Sequence, residues 1–196
     1  MPDQNDALRR KWNRRHAENQ APPQAARVLC ENRHLLPAVG DALDLACGLG
    51  GNSLLLAEAG MRVAAWDLSP VAIARLRGQA RPGIRAEVRD VIAAPPVAKS
   101  FDVIVVSYFL HRPLLPALVE ALRPDGLLFY ETFGPRIVGI GPEKAGFRLR
   151  RSELPGLLLD LIPCYYREDG AAGDLSEGFR DRVMLVGQRL AACSYE

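Results

Sequence analysis

Residues 43–60 read LDLACGLGGNSLLLAEAG, a short apolar run that ends in a glycine-rich turn and continues with helical spacing. The glycines of the turn are Gly48, Gly50 and Gly51, and Ser53 stands where the dinucleotide fingerprint G-x-G-x-x-G requires its last glycine. Glycines at such a turn let the backbone approach a ligand closely, and the helix that follows offers free N–H groups. The stretch therefore predicts a buried strand, a ligand-binding turn and a helix.

Strand-like and helix-like segments alternate around this stretch, from about residue 41 to residue 133. The further strand-like runs are MRVAAWD, IRAEVRD, FDVIVVS and LLFYETF, and helix-like runs separate them. Ser69-Pro70 opens one of these helices, with a capping residue followed by proline at the first helical position. A helix through ALVEALR is expected to stop at Pro124-Asp125-Gly126. The alternation predicts an α/β fold with a doubly wound, mostly parallel sheet.

The two ends of the chain differ from this alternating centre. Residues 1–36 contain an Arg-rich polar helix, a Pro22-Pro23 break and a second helix, QAARVLCENRHLL, which together predict a helical lid. Residues 134–196 contain a loop rich in glycine and proline at 134–146 and a helix, RSELPGLLLDL, with a capping serine. Two late strands, IPCYYRED and DRVMLVGQRL, predict an antiparallel hairpin at one sheet edge. We expect one domain, with residues 37–133 as its cofactor-binding core.

Composition excludes several classes of protein. Hydrophobic residues make up 48% and charged residues 24%, as in ordinary globular domains, and the net charge of +2 indicates no large affinity for nucleic acid or membrane. The apolar runs are too short to span a bilayer, and the first residues lack the apolar segment of a signal peptide. Cys30, Cys47, Cys164 and Cys193 have no metal-binding spacing and are expected to be reduced, mostly buried thiols. We therefore expect a cytoplasmic protein without a metal, as a monomer or homodimer.

Three acidic residues follow three successive predicted strands. Asp44 precedes the glycine turn, where its charge would repel a pyrophosphate and attract an ammonium group. Asp67 ends the second strand, where a carboxylate accepts hydrogen bonds from ribose hydroxyls. Asp90 ends the third, where it suits an exocyclic amine, and the apolar Leu68 and Val91 suit the faces of a purine. The set indicates a nucleoside that carries an amino-acid group.

These residues carry a resemblance to a known family. LDLACGLGGNSLLLAEAGMRVAAWDLSPVAIARL resembles the core of class I S-adenosylmethionine-dependent methyltransferases. WNRRH, DLACGLGGNS, AWDLSP and RPDGLLFYETF are similar to the small bacterial branch of tellurite-resistance and thiopurine-type enzymes. The resemblance covers nearly the whole chain and implies a Rossmann-like, seven-stranded sheet with its last strand antiparallel. It implies S-adenosylmethionine as cofactor, S-adenosylhomocysteine as product and a small-molecule methyl acceptor.

The resemblance also implies which residues meet each part of the cofactor. The residues that would line the methionine half are Asp44, Ala46, Cys47, Gly48, Gly50 and Asn52. The ribose would meet Asp67, with Leu68 and Ser69 beside it. The adenine would meet Asp90 and Val91. Ser107, with Tyr108, would lie under the sulfonium, and Trp12, with Arg14 or Arg15, would fold over the cofactor from the lid.

Candidates for the acceptor site follow the fourth and fifth strands and lie in the late hairpin. They are His111, Arg112, Tyr130, Glu131, Phe133, Tyr165, Tyr166 and Arg167, of which His111 is more often a helix cap and the hairpin tyrosines more often packing. A sulfonium is already activated, so a general base is needed only when the acceptor must lose a proton, which soft S, Se or Te anions need not do. The resemblance implies a late His-Arg pair for tellurium oxyanions. Here GDLSEGFRDR has Arg180 and Arg182 without a histidine, which counts against tellurite.

Other functions remain open at the level of sequence. A non-catalytic module that binds the cofactor as a sensor or partner subunit would share the same fold. An oxidoreductase that uses a dinucleotide is disfavoured by Ser53 and Asp44. The small-molecule methyltransferase is therefore the leading hypothesis.

Overall fold

The computed structural model describes residues 4–79, 81–135 and 141–191. Its helices are α1 (Gln4–Glu18), α2 (Arg27–Glu31), α3 (Gly51–Glu58), α4 (Pro70–Gly78), α5 (Leu115–Ala121) and α6 (Glu153–Leu157). Its strands are β1 (Asp41–Leu45), β2 (Arg62–Asp67), β3 (Ile84–Val88), β4 (Phe101–Ser107), β5 (Leu122–Phe133), β6 (Ile162–Arg167) and β7 (Arg182–Gln188). Short 3-10 turns lie at Arg33–Leu35, Arg112–Leu114 and Ala145–Phe147.

The strands form one seven-stranded sheet in the order β3-β2-β1-β4-β5-β7-β6. The first five strands are parallel to one another, whereas β7 runs antiparallel to both β5 and β6. The predicted doubly wound sheet and its late antiparallel hairpin are thus confirmed. Strand order reverses between β1 and β4, and ligands of open α/β sheets bind outside the carboxyl ends of the strands at such a point.

The two central strands are buried on both faces, as their continuous apolar sequences predict. Side chains alternate between the faces with a period of two. One face packs Leu43, Leu45, Ile104 and Val106 against Leu115 and Leu118 of α5, and the other packs Ala42, Val103 and Val105 against Val28, Leu29 and Leu56 of α2 and α3. These layers hold the carboxyl ends of β1 and β4 rigidly side by side.

Several helices differ from their predictions in length or capping. The second N-terminal helix is only α2 and a 3-10 turn, not all of residues 24–36. Helix α5 ends at Ala121, before Pro124, since a proline disfavours helical geometry at the residue that precedes it. Ser152 makes no side-chain capping bond to α6 and has a left-handed backbone (φ 54°), so its predicted capping role is wrong. Residues 136–140 of the predicted loop lie outside the described residues.

The described cysteines are all free thiols, and the prediction that most are buried is wrong. Cys47 is buried, but Cys30 and Cys164 are exposed, and Cys193 lies outside the described residues. Within residues 4–79, 81–135 and 141–191, no helix combines the length and apolar character needed to cross a membrane. The same ranges contain no cluster of His, Cys, Asp and Glu suited to a metal ion.

Candidate functional site

The glycine turn between β1 and α3 has a left-handed backbone at three positions: Ala46 (φ 56°), Gly48 (φ 52°) and Gly50 (φ 86°). A Cβ atom at Gly50 would overlap the side chain of Leu76, and one at Gly51 would overlap the backbone of Gln24. Two of the glycines therefore allow close packing of the protein on itself. Gly48 is different, since its open side faces the lid.

Asp44, at the end of β1, is fully buried behind this turn. One carboxylate oxygen accepts hydrogen bonds from the Ser53 backbone N–H (2.9 Å) and hydroxyl (2.6 Å), and the other accepts from the Asn52 amide (3.2 Å). Burial raises the pKa of Asp44 to about 6, against the opposing effect of these hydrogen bonds. Ser53, in place of the last fingerprint glycine, is thus a partner of the acid.

Asn52 connects the turn to two other segments. Its amide nitrogen also donates to the Ser107 hydroxyl (2.9 Å) at the end of β4, and its amide oxygen accepts from the Ala26 backbone N–H (2.8 Å). The structure therefore brings together Asp44 and Asn52, which the resemblance assigned to the methionine half, and Ser107, which it assigned to the sulfonium. Ala26 was not predicted, because backbone partners leave no signal in the side-chain sequence.

Asp67, at the end of β2, is nearly buried and faces the same turn. Its carboxylate accepts from the backbone N–H of Gly48 (2.9 Å) and of Ser69 (2.8 Å). Ser69 caps α4 by accepting from the Ala72 backbone N–H (3.2 Å), as predicted. Leu68 is half-buried between Asp67 and Ser69. The second acid thus lies beside the glycine turn.

Asp90, after β3, accepts hydrogen bonds from the backbone N–H groups of Ile92 (3.0 Å) and Ala93 (3.2 Å) and from the Asn5 side chain. Partial burial raises its pKa, but these hydrogen bonds lower it more, so the pKa lies below its ordinary value. Val91 is buried, in the same core cluster as Trp66. Asp90 is therefore a charged acceptor at the third strand end.

Helix α1 lies over these strand ends. Asn5 binds Asp90, the Ser69 hydroxyl donates to the Asn13 side chain (2.6 Å), and the ring of His16 would lie 3.2 Å from a Cβ atom at Gly48. Burial lowers the pKa of His16, although Asp67 opposes this shift. The helical lid of the sequence analysis thus lies on the predicted cofactor positions.

The lid residues that the sequence assigned to the cofactor have different surroundings. Trp12 is half-buried and stacks on His16, with ring centroids 5.7 Å apart. Arg15 is exposed, with its guanidinium 5.4 Å from the Trp12 ring centroid, and Arg14 is exposed as well. The inward residues Asn5, Asn13 and His16 were missed. In the sequence, the signal for these inward positions was the recurrence of polar side chains at helical spacing.

The candidates for catalysis mostly have structural partners. Arg112 forms a bidentate pair with Glu153 (2.7 and 2.8 Å), which lowers the pKa of Glu153 to about 2. Tyr130 is fully buried, donates to the Phe109 carbonyl (2.7 Å) and has a pKa raised by burial. Tyr165 lies on β6, three strands from β4, and its hydroxyl contacts Glu31 (3.2 Å).

His111 is half-buried at the start of the 3-10 turn Arg112–Leu114, where its carbonyl accepts from the Leu114 N–H (3.0 Å). Its side chain makes no capping hydrogen bond to that turn. A catalytic role for His111, Arg112, Tyr130 or Tyr165 stays a prediction.

Another group of polar side chains lies at the ends of β4 and β5. The Tyr108 hydroxyl donates to Glu131 (2.9 Å), and Arg182 donates both to the Tyr108 hydroxyl (2.8 Å) and to Glu131 (3.2 Å). Glu131 is completely buried. The sequence singled out these residues separately and did not predict that they form one cluster.

Comparison with known proteins identifies the fold. Residues 42–126, less than half of the chain, match the family described as "Methyltransferase domain". Over 103 residues the chain is 36% identical to a demethylmenaquinone methyltransferase of Renibacterium salmoninarum, covering 47% of this chain and 43% of that protein. The match thus spans less than half the length of that curated relative.

Solved structures extend the similarity over most of the chain. An S-adenosylmethionine-dependent methyltransferase from Methanosarcina mazei has a TM-score of 0.66 at 19% identity, covering 86% of this chain and all of that one. TehB from Haemophilus influenzae also has a TM-score of 0.66, at 20% identity over 83% of this chain and 61% of TehB. The fold is therefore the Rossmann-like fold of S-adenosylmethionine-dependent methyltransferases, and residues 42–126 match the methyltransferase-domain family.

Proposed function

We propose that this protein is an S-adenosylmethionine-dependent methyltransferase that acts on a small-molecule acceptor. The observation that carries the proposal is the convergence of Asp44, Asp67 and Asp90 on the carboxyl ends of successive parallel strands, beside a left-handed glycine turn. Carboxylates at these points suit an ammonium, a ribose diol and an exocyclic amine better than they suit a pyrophosphate. We place the chain in the small bacterial branch that resembles tellurite-resistance and thiopurine-type enzymes.

The polar groups and the glycine at the site suit the separate parts of the cofactor. Asp67 offers the ribose a carboxylate whose existing partners are backbone N–H groups, and Asp90 offers the adenine amine an oxygen that Asn5 contacts in this arrangement. The open side of Gly48 would accept the methionine half, because a Cβ atom there would take the space. Asp44 has no exposed surface, so it would not contact the ammonium group directly. Its negative charge would attract that group, and its hydrogen bond from Asn52 holds the Asn52 side chain in place.

The chemistry that the cofactor supplies is an activated methyl group. The protein has to hold an acceptor in line at about 3–3.5 Å from the reacting carbon and to keep water away. Asn52 and Ser107 fix the turn and the end of β4 relative to each other, and α1 covers the strand ends. These contacts orient and shield the site.

The tyrosines near the strand ends are poorly suited to act as bases. Burial raises the pKa of Tyr130, and it raises the pKa of Tyr108 to about 12; both hydroxyls are already hydrogen-bonded. An acceptor that attacks without first giving up a proton to the protein, such as a soft S, Se or Te anion, agrees with this environment. We propose this acceptor class, with tellurite disfavoured by the lack of a late histidine beside Arg180 and Arg182.

Calorimetric titration with S-adenosylmethionine and with NAD tests the cofactor. We expect the first to bind and NAD to give no heat. Binding of NAD alone would overturn the proposal in favour of an oxidoreductase. Turnover of labelled cofactor with a panel of thiols, tellurite and phenols then separates an enzyme from a non-catalytic binding module. Cofactor binding without transfer to any member of the panel would favour the module.

A further inference from the structure

Tyr108 has a backbone conformation that bulky residues rarely adopt. Its φ is 57°, in the left-handed region, where a bulky aromatic residue is a genuine outlier. Two hydrogen bonds to the same residue hold it there, from the Tyr108 N–H to the Glu131 carbonyl (2.8 Å) and from the hydroxyl to the Glu131 carboxylate (2.9 Å). Strain of this kind persists where the surrounding structure fixes it, which is frequent at functional sites.

Glu131 is a buried acidic residue whose carboxylate is hydrogen-bonded. It has no exposed surface, and its carboxylate accepts from the Val28 backbone N–H (2.8 Å), from Tyr108 and from Arg182. A buried carboxylate is costly unless it is paired and hydrogen-bonded in this way. Its contacts connect α2, β4 and β7 at the end of β5, so it fixes the two side chains that extend from it.

Arg182 lies at the start of β7, opposite Phe133 of β5. Its Nη1 atom bridges Tyr108 and Glu131, and its Nε atom donates to Asp181 (3.1 Å). Among the described residues the Arg182 Nη2 atom donates no hydrogen bond, and 30% of the side chain is exposed. The guanidinium is therefore fixed through its Nη1 and Nε atoms, and the N–H groups of Nη2 are left to donate to a ligand.

Tyr108 is a partly exposed aromatic residue, and the Arg182 guanidinium lies 5.9 Å from its ring centroid. The residue is 44% exposed, and the Phe133 ring packs on it with centroids 5.4 Å apart. Tyr108 directly follows Ser107, whose hydroxyl bonds to Asn52 of the glycine turn. The aromatic surface is thus adjacent to the predicted position of the sulfonium.

From this geometry, and resting on the proposed function, we propose that Tyr108 and Arg182 bind the methyl acceptor and that Glu131 is the positioning residue for both. Within the soft-nucleophile class proposed above, the acceptor is a flat, conjugated molecule that stacks on the exposed part of the Tyr108 ring and presents an oxygen or other acceptor atom to Arg182. Aromatic stacking favours flat partners, and a fixed guanidinium adds direction. The tyrosine hydroxyl is engaged by Glu131 and Arg182, so its contribution is the ring face.

Matched probes test this acceptor class without requiring turnover. The protein saturated with S-adenosylhomocysteine is titrated calorimetrically with 2-naphthol and with decahydro-2-naphthol, which share a hydroxyl and a carbon skeleton but differ in flatness. We expect 2-naphthol to bind at least tenfold more tightly. Equal binding of the two probes, or no binding of either to the loaded protein, overturns the acceptor class. Failure of S-adenosylhomocysteine itself to bind counts against the proposed function instead.

Variants locate the binding surface. Tyr108→Leu, titrated at saturating S-adenosylhomocysteine, should weaken 2-naphthol binding at least tenfold. Tyr166→Leu is the matched control, since Tyr166 is 38% exposed and bonds to Glu168 but lies on β6. Unchanged 2-naphthol binding in Tyr108→Leu, or equal losses in both variants, overturns the assignment.

Glu131→Gln tests the positioning role. It should weaken 2-naphthol by a similar factor, and ultraviolet titration should detect a tyrosine with a lower pKa, because Glu131 contributes to the raised pKa of Tyr108. Circular dichroism over the same pH range must show a folded protein, because unfolding alone would return the tyrosine pKa to its ordinary value. An unchanged tyrosine titration together with unchanged 2-naphthol binding overturns the role of Glu131, and Tyr108→Leu tests the surface where Glu131→Gln fails to fold.

Discussion

Asp44 shows how a single buried acid at the site affects stability. Burial raises its pKa from 3.8 to about 6, so the folded protein binds this proton more tightly than the unfolded chain does. Below pH 3.8 the group is protonated in both the folded and the unfolded state, so it does not change the free energy of unfolding. As the pH rises from 3.8 towards 6, the unfolded chain ionises first, and stability is lost.

We therefore expect Asp44→Asn to change the pH dependence of unfolding. The loss for the native protein amounts to about 3 kcal/mol across this window, at 1.36 kcal/mol per pKa unit, and the variant should lack it. Urea unfolding of both proteins between pH 3.5 and 7 measures the difference. The comparison cancels the other carboxylates, such as Glu153, whose lowered pKa acts in the opposite direction. Parallel curves for the two proteins would contradict the raised pKa.

Asp67 is the residue on which cofactor affinity should depend most directly. Asp67→Ala removes a charged acceptor, so we expect S-adenosylmethionine to bind more weakly by roughly 1.5–3 kcal/mol in calorimetry. The backbone N–H groups of Gly48 and Ser69 lose the same partner, and urea unfolding must accompany the titration. Asp160→Ala, at an exposed position between α6 and β6, is the control. Unchanged affinity in Asp67→Ala would place the ribose elsewhere.

At the scale of elements, two serines that the sequence treats alike have different roles. Ser69 accepts from the Ala72 N–H and donates to Asn13 of the lid, whereas Ser152 makes no cap. Ser69→Ala should destabilise the protein by about 1 kcal/mol or more, the usual cost of a lost cap. Ser152→Ala should stay within about 0.5 kcal/mol. Urea midpoints measure both, and an equal effect of the two substitutions would refute the distinction.

The glycine turn gives a second test at this scale. A Cβ atom at Gly51 would overlap the backbone of Gln24, so Gly51→Ala should cost about 1–3 kcal/mol through overpacking. Gly78, at the end of α4, has nothing within 4 Å of a Cβ atom, and Gly78→Ala should be neutral or stabilise by up to about 1 kcal/mol. Thermal or urea unfolding compares the two. A tolerated Gly51→Ala would show that the segment at Gln24 moves freely.

Elements were predictable where a local pattern repeats along the chain. The continuous apolar run of β4 predicts a strand buried on both faces, and Ser69-Pro70 predicts the start of α4. Short helices were less predictable, since α2 has only 5 residues and its length depends on packing rather than periodicity. Local rules also failed at Ser152, because its backbone conformation depends on distant contacts, such as the hydrogen bond from its N–H to Glu168.

The site was predictable where each residue belongs to a local motif. Asp44 and Asp67 stand at the ends of strands that the sequence identifies, and the structure brings both to the glycine turn. Contacts between distant positions carry no such signal. Asn5 and Asp90 are 85 positions apart, and Val28 and Glu131 are 103 apart. A single sequence therefore could not reveal the lid contacts or the Tyr108 cluster.

For the whole molecule, the position of α1 sets how a ligand reaches the strand ends. Its inward side chains contact Asp90, Ser69 and the open side of Gly48, which are the positions proposed for the cofactor. A ligand that takes those positions has to displace these side chains of α1. Arg75 of α4 holds the other end of the lid, because its Nη1 atom donates to the carbonyls of His16 (2.5 Å) and Asn19 (2.7 Å).

Arg75→Ala should therefore loosen the lid without disturbing the sheet. Loss of these charged hydrogen bonds is worth about 1.4 kcal/mol, which corresponds to roughly tenfold more frequent opening of α1. Hydrogen–deuterium exchange should show faster uptake in residues 4–18, and stopped-flow binding of S-adenosylmethionine should be faster. Arg77→Ala is the matched control, since Arg77 lies on the same helix but donates to Ala86 of β3. Equal uptake in residues 4–18 for both variants would mean that contacts other than Arg75 hold α1 over the site, with Asn5 and Asn13 the next positions to substitute.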